Sequence, residues 1–137
     1  MSISPGVYRI KNAEAQTMLE LERSEGSGIC VRQQNDQTNQ HWFVHPSGDG
    51  VVLKNVESGQ YAYAPITSLQ NGCKLFGSST PITWKFVPNG NEWLISLPGS
   101  KFIVEHSSGG NRADGIAIQL WEYVGRKYQR WTFEKLK

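Results

Sequence analysis

The sequence lacks an excess of charge of either sign. Its 137 residues contain 14 Lys and Arg against 12 Asp and Glu, which gives a net charge of +2. No basic run stands out, although proteins that bind nucleic acid or an anionic membrane surface commonly carry one. The charge pattern therefore argues against nucleic acid as a partner.

Long apolar runs and helical periodicity are also absent. No stretch is long enough to span a bilayer, so we expect no membrane insertion. Residues 1–6 show neither the basic nor the apolar region of a secretory signal, which favours a cytoplasmic location. Short apolar runs lie between frequent turn signals, among them Asn71–Gly72 and Pro98–Gly99. This pattern predicts an all-β fold.

Cysteine and histidine are scarce. The only cysteines, Cys30 and Cys73, fall at non-equivalent places of the repeat described below, so we predict two reduced thiols rather than a disulfide. The histidines, His41, His45 and His106, show no metal-ligand spacing. The sequence predicts neither a metal nor a cofactor.

Three tryptophans mark an internal repeat. Trp42, Trp84 and Trp131 are separated by 42 and 47 residues, and each precedes a strand-like run. A Gln-x-Trp motif begins at Gln40 and recurs at Gln129. Recurrence of a Trp-containing segment at a similar spacing indicates repeated supersecondary units. We divide the chain, a single domain of residues 1–137, into repeats of about 5–47, 48–90 and 91–137.

The first strands of the repeats align without a gap. Tyr8–Met18 matches Val51–Tyr61 and Glu92–Phe102, and a large apolar residue closes each block. Each unit then reads as four short strands. Three units are few for a propeller, which typically has about 4–8 blades. The pattern favours a β-trefoil whose three motif tryptophans share one core.

A chain of three such units with Gln-x-Trp motifs resembles the ricin-type β-trefoil lectins, especially small cytosolic lectins of fungi. The resemblance covers the whole chain and implies one sugar site per repeat. In that family an Asp accepts bonds from sugar hydroxyls, an aromatic ring stacks on the sugar face, an Asn before the motif binds a hydroxyl, and the motif Gln steadies the Asp. A carboxylate with an amide suits paired hydroxyls, and a ring suits the C–H face.

Carried over by position, the resemblance gives the first repeat a polar half-site. The first repeat offers Glu20 for the Asp and Arg32 where the ring should be, followed by Asn39 and Gln40. The equivalent residues of the second repeat lack the carboxylate, the amide and the Gln, so we expect no sugar site there. They are Tyr63, Ser78, Pro81 and Ile82.

The third repeat has an aromatic ring at the stacking position, but it lacks the acid and the Asn at the positions where the family has them. It offers Val104, Trp121, Tyr128 and Gln129, so its carboxylate must come from Glu105 or Asp114. His106 and Asn111, in or beside a longer loop over residues 107–113, are near enough in sequence to contribute. By strand alternation Ile118 and Leu120 should point inward and Trp121 outward.

Two functions from different classes remain. The first is a non-catalytic lectin for galactose- or N-acetylgalactosamine-type glycans of glycoproteins or glycolipids. Two sites on one chain, or a homodimer, would each provide the bivalency that agglutination needs. The alternative is a β-trefoil protease inhibitor that projects the loop Pro65–Gln70 or residues 107–113. Nothing in the sequence resembles a catalytic triad, so we predict no enzyme activity.

Overall fold

The computed structural model describes residues 2–23 and 27–137, which form twelve short antiparallel strands. Within these ranges no α-helix occurs, and two 3₁₀ turns, Thr38–Gln40 and Lys127–Gln129, precede motif strands. No helix of the described residues is long and apolar enough to cross a membrane. The strands in chain order are β1 (Gly6–Asn12), β2 (Met18–Leu21), β3 (Ile29–Arg32), β4 (Trp42–Ser47), β5 (Gly50–Asn55), β6 (Tyr61–Tyr63), β7 (Phe76–Ser78), β8 (Lys85–Asn89), β9 (Glu92–Ser96), β10 (Phe102–His106), β11 (Ile116–Glu122) and β12 (Trp131–Lys135).

Six of the strands close into a barrel. Strand β1 pairs with both β4 and β12, β4 pairs with β5, and β8 pairs with β9, which in turn pairs with β12. A bridge between Val51 and Trp84 joins β5 to the start of β8 and completes the circle. The first and fourth strands of every repeat therefore form the barrel wall, as the predicted β-trefoil requires.

The three motif tryptophans form the centre of the core. Trp42, Trp84 and Trp131 are fully buried. Each indole Nε1–H donates a hydrogen bond of 3.0–3.1 Å to a backbone carbonyl on the second strand of its own repeat. The acceptors are Leu19, Ala62 and Val104. Burial of a ring together with satisfaction of its one donor is the arrangement in which a large aromatic stabilises a small core most.

The other six strands form three hairpins that contact one another in a ring. These hairpins are β2–β3, β6–β7 and β10–β11. The first hairpin meets the third where Cys30 pairs with Ala117, and it meets the second where Gly28 bridges Phe76. Lys74 bridges Gln119 between the second and third. Each hairpin therefore presents its polar face beside a residue of a neighbouring repeat.

The register of the third repeat differs from the predicted alignment by one residue. In the first two repeats Met18 pairs with Lys11 and Tyr61 pairs with Lys54. In the third repeat the corresponding pair is Ile103 with Ser96, so Ile103, and not Phe102, is equivalent to Met18 and Tyr61. Phe102 and Ile103 are both apolar and both buried, so hydrophobic matching could not distinguish them. The correction moves every equivalence on β10 by one position.

Candidate functional site

The polar face of each hairpin carries four positions that are equivalent in the three repeats. The first lies on the second strand, the next two on the third strand, and the last precedes the motif Gln. These residues are Glu20, Cys30, Arg32 and Asn39 in the first repeat, Tyr63, Phe76, Ser78 and Pro81 in the second, and Glu105, Gln119, Trp121 and Tyr128 in the third.

In the first repeat a buried carboxylate is held by the motif amide. Glu20 is 3% exposed, and its Oε1 accepts a hydrogen bond of 3.2 Å from Gln40 Nε2. Its Oε2 accepts from Arg32 Nε at 2.9 Å. This bond is the main reason that the pKa of Arg32 lies above its ordinary value. The Glu20–Arg32 contact fixes the guanidinium at the position predicted for a ring.

Asn39 lines the polar groove next to Glu20. Its Nδ2 donates to the Leu21 carbonyl at 3.1 Å, whereas its Oδ1 has no hydrogen-bond partner among the described residues. The groove encloses about 310 Å³ and is lined also by Glu22, Arg23 and other polar residues. A buried acceptor without a donor costs free energy, so this site favours a ligand that brings an O–H or N–H group.

Asp114 lies at the first-repeat site, although the sequence analysis assigned it to the third. Its Oδ1 accepts from the backbone N–H of Gln33 at 2.9 Å, and its Oδ2 lies 3.9 Å from Arg32 Nη1. The loop before β11 crosses to the neighbouring repeat, where the Gly115 N–H donates to the Val31 carbonyl. The predicted role of Asp114 in the third repeat is therefore wrong, because strand pairing between repeats carries it away.

In the third repeat the equivalent carboxylate is Glu105, and Val104, which the uncorrected alignment put there, belongs to the core. Glu105 is 5% exposed. Its Oε1 accepts from Gln129 Nε2 at 2.9 Å and its Oε2 from Gln119 Nε2 at 2.8 Å. The carboxylate and motif amide of the first repeat thus recur here, with a second amide in place of the guanidinium.

Trp121 points outward, as predicted from alternation. It is 36% exposed, while its neighbours Ile118 and Leu120 on the same strand are fully buried. One edge of its ring lies against the loop at Gly72, where an added Cβ would be 4.0 Å from Cζ3. A partly exposed ring thus lies on the same face of β11 as Gln119, which binds the Glu105 carboxylate.

Tyr128 occupies the position of Asn39 but supplies different groups. It is half-buried, and its backbone carbonyl accepts a bond of 2.9 Å from Asn12 Nδ2. The Asn39 carbonyl accepts an equivalent bond from Asn55. The backbone of the motif is thus preserved in both repeats, and only the side chain changes from amide to phenol.

His106 and Asn111 hold the long loop rather than facing the site. His106 is fully buried; its Nε2–H donates to the Asn111 carbonyl at 2.9 Å, and its Nδ1 accepts from the N–H groups of Ser108 and Gly110 at 3.1 Å. Burial lowers the pKa of His106. Asn111 Oδ1 accepts from the Ala113 N–H. The prediction that His106 contributes to a sugar site is corrected, because both of its ring nitrogens are used inside the loop, and the Oδ1 of Asn111 is used there too.

The second repeat has no carboxylate–amide pair. Its equivalents of Glu20 and Gln40 are Tyr63 and Ile82, and the ring of Tyr63 packs at 5.4 Å from that of Phe76. The space beside this hairpin is apolar and encloses about 490 Å³ between the segments Ile66–Leu69, Pro81–Thr83 and Leu97–Ser100. These residues offer no side-chain acceptor equivalent to Glu20.

Both cysteines are free thiols, as predicted. Cys30 lies under Glu20 with Sγ 3.6 Å from Oε2, and burial, with Glu20 as the next cause, raises its pKa to about 12. Among the described residues no group of three or more His, Cys, Asp and Glu could hold a metal ion.

Sequence reasoning missed two residues of the third site. Gln119 lies two residues before Trp121, so strand alternation alone places both side chains on one face. Lys74 donates from Nζ to Gln119 Oε1 at 2.6 Å. No sequence pattern predicts the position of Lys74, because this residue belongs to the second repeat and reaches the third-repeat site through a β-bridge between two hairpins.

Comparisons with solved structures agree with this architecture. The ricin B-like lectin of Macrolepiota procera, solved in complex with lactose, superposes with a TM-score of 0.92 at 24% identity, over 98% of this chain and 99% of that one. The Rhizoctonia solani agglutinin gives 0.90 at 26% identity, covering 98% of each chain. The designed threefold-symmetric protein ThreeFoil gives 0.88 at 21% identity, over 96% and 99%. The last match confirms the β-trefoil fold.

Sequence comparison assigns the family. Comparison with curated protein sequences gives no significant match. The profile of the ricin-type β-trefoil lectin domain-like family matches residues 2–75, which is more than half of the chain. This protein therefore belongs to the ricin-type β-trefoil lectin domain-like family.

Proposed function

We propose that this protein is a non-catalytic lectin that binds galactose- or N-acetylgalactosamine-type glycans in its first and third repeats. One observation carries the proposal. A buried carboxylate bound to a motif amide occurs twice, as Glu20–Gln40 and Glu105–Gln129, at equivalent positions of two repeats. The second repeat keeps the fold without this pair.

The third repeat carries the stronger site in this account. A pyranose has an apolar C–H face and a polar edge of hydroxyl groups. The exposed part of the Trp121 ring suits the first, and the acceptors around Glu105 suit the second. Burying one ring face contributes about 1–3 kcal/mol. That is a large share of the roughly 4–6 kcal/mol of a binding constant between millimolar and tens of micromolar.

The first repeat binds through polar contacts alone. Asn39 Oδ1 lacks a partner among the described residues, and Arg32 binds Glu20 through Nε while its Nη1 lies 3.9 Å from Asp114 Oδ2. A sugar hydroxyl can donate to the first and accept from the second. Without a stacking ring, this site should be weaker than the third-repeat site.

The proposed preference for galactose-type sugars is supported by a structurally similar lectin. The Macrolepiota procera lectin was solved with lactose, whose terminal unit is galactose. The proposal of a non-catalytic protein is supported by the carboxylates, since both oxygens of Glu20 and of Glu105 accept bonds from protein groups. A glycosidase instead needs two carboxyl groups placed on either side of one glycosidic bond.

We place the protein in the cytoplasm, with glycoproteins or glycolipids as partners.

Calorimetric titration with lactose and N-acetylgalactosamine tests the proposal. We expect Trp121→Ala to remove the stronger class of site, Asn39→Ala the weaker class, and the double variant all binding. Ser78→Ala, at the position of Trp121 in the second repeat, is the matched control and should titrate like the parent. Binding of the double variant at parental affinity would refute the proposed sites.

Protease inhibition is the second candidate, and one loop favours it. Ile66 is 48% exposed at the tip of a turn closed by the Ser68 N–H and the Pro65 carbonyl. Cys73 braces this loop, since its Sγ lies 3.4 Å from the Ser68 carbonyl. A rigid exposed apolar tip suits a protease cleft. Inhibition of a protease by the parent that Ile66→Asp abolishes, in a protein that binds no glycan, would select this function.

A further inference from the structure

Lys74 brings a positive charge from the second repeat to the third-repeat site. Its side chain is exposed, and its Nζ donates to Gln119 Oε1 at 2.6 Å. Within residues 2–23 and 27–137 it forms no ion pair. An ammonium group has three donors. One is used by the amide, so two remain for a ligand.

The charge is specific to the third repeat. The pseudo-threefold axis relates Lys74 to Gly28 and Ala117, which form the equivalent bridges to Phe76 and Cys30. Glycine and alanine cannot reach the polar face of the adjacent hairpin. The first and second repeats therefore have no counterpart of this ammonium.

Its position places it beside the proposed stacking ring. Gln119 and Trp121 lie on the same face of β11, because Ile118 and Leu120 between and before them point into the core. Gln119 is at the same time bound to Glu105 at 2.8 Å. A sugar on Trp121 that reaches toward Glu105 therefore comes next to the Lys74 ammonium.

Among the described residues no carboxylate forms a direct ion pair with this ammonium, and the nearby Glu105 charge is separated from it by the Gln119 amide. Glu122 forms an ion pair of 2.8 Å with Lys101, and Glu105 is buried and bonded to two amides. The first-repeat groove has the opposite balance. There Glu20, Glu22 and Asp114 surround Arg32, whereas Arg23 is paired with Glu57 at 2.7 Å.

We propose that Lys74 is a specificity-determining residue that makes the third-repeat site select galactosides carrying a carboxylate or a sulfate next to the stacked unit. The proposal rests on the proposed lectin function and adds the acidic class of ligand. Both anions offer acceptor oxygens to the two free N–H groups, and a charge-assisted hydrogen bond is stronger than a neutral one. The first-repeat groove, with its excess of carboxylates, does not share this preference.

The experiment compares three ligands that differ at one position: lactose, 3′-sulfated lactose and 3′-carboxymethyl lactose. The indole N–H signal of Trp121 in ¹⁵N-labelled protein follows binding at the third repeat alone. In the parent at low salt we expect at least one of the anionic ligands to bind about three- to tenfold tighter than lactose. The preference should shrink in high salt, because exposed charges are screened.

Three variants assign that preference to Lys74. In Lys74→Gln the ratio of anionic-ligand affinity to lactose affinity should fall to about one, because Gln keeps a donor for Gln119 but carries no charge. Lys74→Arg should retain the preference. Lys85→Gln, which removes the same charge from an exposed position on β8, should behave like the parent.

The outcomes separate this inference from the proposed function. Lactose binding that depends on Trp121, with a parental preference that is absent or unchanged in Lys74→Gln, overturns the role of Lys74 and leaves the lectin function in place. Absence of binding by all three ligands overturns the lectin function itself.

Discussion

The first and third repeats hold the same acceptor in different surroundings. Glu20 and Glu105 are both buried and both bonded to the motif Gln. Beside Glu20 stands a guanidinium, and beside Glu105 stand an amide and an exposed indole. The hairpin backbone therefore fixes the carboxylate, while the next residues on the third strand decide whether a ligand meets a charge or a ring.

The second repeat extends the comparison to the clefts between repeats. The cleft that holds the Arg23–Glu57 ion pair encloses about 280 Å³. The equivalent cleft one repeat later has Ile66 in the position of Arg23 and Gly99 in that of Glu57, so it has no ion pair there. One backbone thus carries an ion pair in one cleft and uncharged residues in the next, because these side chains are not needed for the barrel.

The largest expected effect is on the free energy of unfolding, and it distinguishes a tryptophan of the core from a tryptophan of the proposed site. Trp84→Ala should destabilise the protein by about 3–5 kcal/mol although we propose no sugar site in its repeat, because a fully buried ring and its hydrogen bond are lost. Trp121→Ala, at an exposed ring, should cost less than about 1 kcal/mol. Chemical denaturation measures both. Equal losses in the two variants would contradict the division into core and site tryptophans.

Placing a tryptophan ring in the first repeat tests whether the missing ring explains its weaker expected affinity for lactose. Arg32→Trp should raise the affinity of the first repeat for lactose about tenfold, since Glu20 and Gln40 are already in place. Ser78→Trp is the matched control and should gain nothing, because Tyr63 and Ile82 replace the pair there. Calorimetry would show a second strong site only in the first variant. A gain in both would mean that the carboxylate–amide pair is dispensable.

A pH dependence should distinguish the loop of the third repeat. The pKa of His106 is lowered by burial, so folding favours its neutral form, and protonation of Nδ1 would break two backbone bonds. Its contribution is fully present above the ordinary imidazole value of 6.5 and declines as the pH falls from there toward the lowered value. Burial lowers the pKa of His41 in the same direction. Unfolding free energies measured from pH 7.5 to 5 should fall, and less steeply in His106→Gln. A parallel decline in that variant would count against the loop assignment.

The smallest effect concerns the two thiols. Iodoacetamide at pH 8 should modify Cys73, which is partly exposed, and leave Cys30, which is buried with a pKa of about 12. Mass spectrometry should find one adduct in the native protein and two in denaturant. Reductant should not change the stability, because the thiols are not bridged. Rapid modification of Cys30 in the native state would show that the hairpin under Glu20 opens.

The sequence predicted the features that depend on repetition. The strands, the tryptophan core and the outward Trp121 follow from motif spacing and alternation, whereas the Glu20–Gln40 contact was implied by the resemblance to ricin-type lectins. Contacts between repeats explain one misplaced residue and one missed residue: Asp114, which was assigned to the third repeat, crosses to the first, and Lys74, which was not predicted, crosses to the third. His106 was misplaced for another reason, because a histidine that braces its own loop has the same sequence signature as one that faces a ligand.

The site-resolved measurement is a lactose titration followed by the indole N–H signals of the five tryptophans. The account predicts a saturable shift of the Trp121 signal, with Trp42, Trp84 and Trp131 unchanged because their N–H groups are bonded to core carbonyls. A shift confined to the core tryptophans, or saturable lactose binding that leaves the Trp121 signal unmoved, would contradict the placement of the main site in the third repeat.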